Sequence, residues 1–144
     1  MIYVSTGGCK GVKPSIALDK FVQAGIYAVE LSGGSHELGV ERYLIESDLG
    51  VALKIHNYFP PPAEPFVINL ASTDSSVFAK SIDHVRKALR LCSKLCINEY
   101  SVHAGFLLDP IPASLGGLLD KNVYIADRKI AIDTFCEAIF DLAK

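Results

Sequence analysis

A regular alternation constrains this chain more than any other feature. Short apolar runs rich in β-branched residues take turns with longer stretches of helical spacing, the pattern of βα units around a parallel sheet. Ile2-Tyr3-Val4-Ser5 reads as a first strand, followed by a loop over 6–14 and a helix over 15–24 that turns Ile16, Leu18, Phe21 and Val22 to a core and stops at Gly25. Ala28-Val29-Glu30-Leu31 is a second strand, closed by Ser32-Gly33-Gly34-Ser35, and a second helix covers 40–49 before Gly50 ends it. The third strand, over 51–56, runs into Asn57-Tyr58-Phe59-Pro60-Pro61-Pro62, whose prolines forbid helix and ladder hydrogen bonding and predict a stiff extended segment. After Phe66-Val67-Ile68-Asn69-Leu70, Thr73 or Asp74 caps a long third helix. Its Val77, Phe78, Ile82, Val85, Leu89, Cys92 and Cys96 recur at three- and four-residue steps. Tyr100-Ser101-Val102-His103 is a fourth strand, followed by a loop of about twenty residues and a last helix from Asp127 onward.

Four βα units in 144 residues extrapolate to about 290 residues for eight, within the range of a (β/α)8 barrel. The expected fold class is therefore α/β, residues 1–144 forming one domain that is the N-terminal half of such a barrel. Neither the first nor the fourth strand carries the alternating polar pattern of a water-facing edge, so both are expected to be paired by something outside this sequence.

Composition narrows the setting. Hydrophobic residues make up 50% of the chain and charged residues 21%, which excludes disorder. No apolar run reaches the length of a membrane span and the start lacks a signal-peptide pattern, so a cytoplasmic protein is expected. The net charge of −2 offers no basic footprint and argues against a nucleic-acid partner. Cys9, Cys92, Cys96 and Cys136 include no CxxC and are expected to be reduced thiols, with Cys92 and Cys96 in one helical pattern.

In parallel α/β folds the loops at the C-terminal ends of the strands converge on the site. Glu30, His56 and His103 fall near the ends of the second, third and fourth strands, and Asn57 just after the third. Two imidazoles on neighbouring strands can share an ion with Glu30 as oxygen partner, or they can be a hydrogen-bonded structural pair. His36 and His84 read as exposed or partly packed. Gly7-Gly8-Cys9-Lys10-Gly11-Val12-Lys13 lacks the Walker spacing and reads as a solvated turn, with a sugar-phosphate contact as its alternative. Cys9 has no histidine near it in sequence to make it a nucleophile. Asp109 and Asp120 lie in the long loop, where a lid is expected.

Three segments carry a family resemblance: His56-Asn57-Tyr58-Phe59-Pro60-Pro61-Pro62, Phe66-Val67-Ile68-Asn69-Leu70-Ala71-Ser72 and Ser101-Val102-His103-Ala104-Gly105-Phe106, with weaker support from Glu30-Leu31-Ser32-Gly33-Gly34. On these the chain resembles, over nearly its whole length, the xylose-isomerase-like superfamily of sugar-phosphate isomerases and epimerases and zinc-dependent abasic-site endonucleases. The resemblance implies a divalent metal (Mn or Zn) with His56 and His103 as ligands and a small carbohydrate substrate that also meets Glu30 and Asn57. Glu30 is the candidate catalytic carboxylate. The implied reaction moves a proton between carbons next to a carbonyl while the ion stabilises the enediolate. It also implies further ligands from strands five to eight, which this sequence does not contain, so chemistry by the chain alone is not expected. The proline-rich insert and Ala104, where the endonucleases have a proline, depart from the nuclease branch. The alternatives are a zinc-dependent abasic-site endonuclease and a non-catalytic half barrel that pairs with itself or with a separate partner.

Overall fold

The computed structural model describes residues 1–115 and 124–144, and Asp120 of the expected lid lies outside them. The fold is α/β. Among the described residues, β1 (Val4–Ser5), β2 (Ala28–Leu31), β3 (Ala52–His56) and β4 (Tyr100–Ser101) form one parallel sheet in the order β1-β2-β3-β4. Four α-helices accompany it: α1 (Pro14–Gln23), α2 (Val40–Glu46), α3 (Ser75–Lys94) and α4 (Arg128–Leu142). No described helix is long and apolar enough to cross a membrane.

The described residues divide into two compact units, one of residues 1–64 and 88–102, the other of residues 65–87 and 103–144. The first holds the whole sheet. Its core joins Val29, Leu31 and Ile55 of the strands to Leu18 of α1, Val40 and Leu44 of α2, and Ala88, Leu91 and Cys92 at the end of α3, with Phe59 fully buried among them. Side chains alternate across a strand, so the other face carries Ser5, Glu30, Lys54, His56 and Ser101. The register sets Ser5 beside Glu30, Glu30 beside Lys54 and His56 beside Ser101. All five are exposed or half-buried.

Helix ends follow local chemistry. Both α1 and α3 close in the Schellman pattern: Ile26 N–H reaches Phe21 O while Gly25 N–H reaches Val22 O, and Ile97 N–H reaches Cys92 O while Cys96 N–H reaches Ser93 O. The left-handed residue is Gly25 (φ 76) in the first, as expected, but Cys96 (φ 55) in the second. Cys96 therefore ends α3 and does not continue its helical face. α2 stops at Glu46, four residues before Gly50, because the chain at Ser47 is already extended. The Asp74 carboxylate caps α3 by accepting from the N–H groups of Ser76 and Val77.

The second unit is organised by Asn69, which is 1% exposed. Its Oδ1 accepts from Ala71 N–H (3.1 Å) and Phe106 N–H (2.9 Å). Its Nδ2 donates toward Phe106 O, Leu108 O and Asp109 Oδ1. The second oxygen of Asp109 accepts from the Ser72 hydroxyl at 2.8 Å. One buried amide thus ties 69–72 to 105–109, and both of its polar atoms are hydrogen-bonded. In the same unit Asp127 caps α4 through the N–H groups of Lys129 and Ile130, matching the expected helix start.

Three further expectations fail. The outer strands β1 and β4 are two residues long and not four, because among the described residues each pairs along one side and leaves the ladder early. The proline segment is not simply extended: the chain turns at Asn57, whose φ is 40, and the Phe59–Pro60 bond is cis. His84 is buried, 5% exposed, and stands edge-on to Phe66 with ring centroids 5.9 Å apart.

Candidate functional site

The site builds up from the point where β1 stops pairing. A short 3-10 turn at Thr6–Gly8 replaces the strand, and the buried Thr6 hydroxyl accepts the Ser32 N–H at 3.0 Å in place of a strand carbonyl. Ser32 directly follows β2. The β2–β3 register, continued one step past Leu31 beside Ile55, brings Ser32 opposite His56, and the two side chains meet with Ser32 Oγ 3.0 Å from His56 Nδ1. Glu30, two residues back on the same face, sets its Oε1 3.9 Å from the same nitrogen. The side chains of His56 and Glu30 are 25% and 30% exposed, enough shielding to strengthen their interaction and enough access for a ligand.

Gly7 sharpens this arrangement. A Cβ there would lie 3.3 Å from Ser32 Oγ and 3.6 Å from Ser32 Cβ, so the bare glycine lets the turn press against the serine. Below the cluster, Lys54 pairs with Glu99 and lies over the Tyr3 ring at 4.9 Å. Glu99 holds the ammonium pKa above its ordinary value, by hydrogen bond first and charge second. Lys54 therefore stays a cation, an electrostatic neighbour of Glu30 and not a base.

Asn57 follows His56 directly. Its N–H extends the β3–β4 ladder to Ser101 O at 2.6 Å, and its carbonyl accepts the Tyr100 hydroxyl at 2.8 Å. The backbone of Asn57 is thus structural, and its left-handed φ suits asparagine. His103 lies in the second unit, exposed and two residues beyond β4, so it is a loop residue and does not end a strand. Of the four sequence candidates, Glu30 and His56 meet directly. Ser32, which meets His56, and Thr6, which holds Ser32, were not singled out; their signal was a hydroxyl placed just past each strand end.

Other polar positions have local duties. His36 Nδ1 lies 3.0 Å from Pro61 O. Cys9, Cys92, Cys96 and Cys136 are all free thiols, and burial pushes the Cys92 thiol up. A catalytic zinc takes at least three protein ligands, and among the described residues no group of three or more His, Cys, Asp or Glu side chains is set to hold a metal. Glu30 and His56 alone do not make such a site. The chain matches no known family model and no curated protein.

Proposed function

We propose that this chain forms the N-terminal part of a (β/α)8 barrel of the xylose-isomerase-like kind, a metal-dependent sugar or sugar-phosphate isomerase or epimerase. The observation that supports it is the Glu30–Ser32–His56 cluster, held at the C-terminal ends of adjacent parallel strands on a face that is polar and half-open. A parallel sheet is ordinarily buried on both faces. One apolar face under helices and one ionisable face suit the outer and inner walls of a barrel with a site at its mouth.

In this reading Glu30 is a candidate catalytic carboxylate beside the substrate, while the carboxylate pair that moves the proton would come mainly from the later strands of the barrel. His56 and Ser32 orient the substrate's hydroxyls, and Asn57 adds a polar contact. The resemblance implies His56 and His103 as ligands of a divalent ion, manganese or zinc, and further donors would come from outside the described residues. Native mass spectrometry with added zinc or manganese tests this: a retained ion that is lost in both His56→Ala and His103→Ala supports it, and binding unchanged in both variants overturns it.

A second reading is favoured by the sheet order, in which β1 and β4 are the outer strands and pair only inward. Two copies closing edge to edge would then form a non-catalytic barrel. The same spectra separate the readings, since a dimer without bound metal supports this second one.

A further inference from the structure

An exposed apolar row runs along α4. Ile132, Cys136 and Phe140 follow one another at four-residue steps, which places them side by side on one face of the helix. All three are exposed, Ile132 to 49% and Phe140 to 69%. Scattered apolar residues on a surface need no explanation, whereas an aligned set on one rigid element suits a contact. The row is also symmetric about Cys136. A two-fold axis beside that residue would set Ile132 of one copy against Phe140 of the other at both ends. Cys136, small enough to let two helices approach, would meet itself at the centre.

Charge has the same sense. Behind the Asp127 cap, the first turn of α4 holds Arg128 and Lys129 and no acid, while its last turn holds Asp141 and no base. A helix dipole favours the reverse, acids first and bases last. An antiparallel neighbour resolves the mismatch, because it brings the cationic end of each helix to the Asp141 end of the other. Lys144, past the helix end, folds back on Asp141 and over the Phe140 ring, yet Phe140 stays mostly exposed.

We infer that the Ile132–Cys136–Phe140 face of α4 is an interface for a second copy of this chain, the two helices running antiparallel about a two-fold axis at Cys136. This pairing uses neither β1 nor β4 and no member of the Glu30–Ser32–His56 cluster, so it stands or falls apart from both functional readings.

Sedimentation equilibrium of the reduced chain at concentrations on the order of 100 μM, the range suited to a small interface, tests the inference. A monomer–dimer equilibrium is expected. Phe140→Glu and Ile132→Glu are each expected to raise the dissociation constant by about tenfold or more, the effect of losing an apolar anchor, with circular dichroism as the check on folding. In the double variant Ile132→Lys, Phe140→Glu, opposite charges face each other only if the helices run antiparallel, so the dimer is expected to be tighter than that of Phe140→Glu alone. A short bismaleimide is expected to join two wild-type copies in a product that Cys136→Ser abolishes. A monomer at every concentration overturns the inference, and so does a dimer that neither Glu variant weakens, which places the contact elsewhere, as at the outer strands. A double variant no tighter than Phe140→Glu overturns it too, as does the absence of a Cys136-dependent cross-link. Should a variant unfold, the wild-type cross-link still decides.

Discussion

Gly105 and Cys96 both occupy left-handed backbone, with opposite consequences for mutation. At Gly105, φ is 123 and an added Cβ would come within 2.2 Å of Asn69 Oδ1 and 3.1 Å of Ala71 N, so a side chain there breaks the buried amide hub. Gly105→Ala is expected to cost about 3 kcal/mol, from backbone strain and a displaced buried hydrogen bond together, read by urea denaturation. A loss under about 1 kcal/mol would mean that the hub yields at little cost. Cys96 is the reverse case: an exposed non-glycine residue fills the position that glycine prefers. Cys96→Gly is expected to raise stability by up to about 1 kcal/mol, seen as a higher Tm, whereas a fall would show that the thiol makes a contact worth more than the strain. Neither position was legible in advance. A helical run does not announce which of its residues closes it, and an asparagine inside an apolar run says only that its amide needs partners.

Tyr100 fastens β4 to the turn after β3, with its hydroxyl on Asn57 O at 2.8 Å. Burial holds its phenol well above the usual tyrosine range. The folded state therefore keeps a proton that the unfolded chain releases near the ordinary value of about 10. The sign follows: this contribution to stability is full below that pH and is lost progressively as pH rises above it. Thermal unfolding from pH 8 to 11 is expected to show a falling Tm whose slope is reduced in Tyr100→Phe; an equal slope would assign the alkaline loss to other groups. The elements themselves were largely readable. β2 spans the expected residues and α4 begins where Asp127 predicts, because burial patterns and caps are local. β1 and β4 came out shorter, since the length of an outer strand depends on how far its one neighbour keeps pairing.

At the scale of the whole chain, strand periodicity announced the parallel α/β sheet, while the polar cluster was only half legible. Glu30 and His56 were visible as polar residues at strand ends. Their approach, and the Ser32 hydroxyl beside His56, depend on a register that no single strand encodes. His103 looked equivalent to His56 because Val102 prolonged an apparent strand, and the ladder ends at Ser101. The division of the described residues into two units had no compositional marker, since it cuts through α3, whose amphipathic pattern is continuous.

The two-faced sheet has a consequence for how the chain reaches its native arrangement. Along β2 and β3, Val29-Glu30-Leu31 and Leu53-Lys54-Ile55-His56 alternate strictly, and a slip of one residue would turn Glu30, Lys54 and His56 under the helices. Burying those ionisable groups without partners costs several kcal/mol each. The misaligned sheet is thereby disfavoured by the very side chains that form its polar face. Replacing them with apolar residues would remove that penalty and leave the two strands freer to mispair.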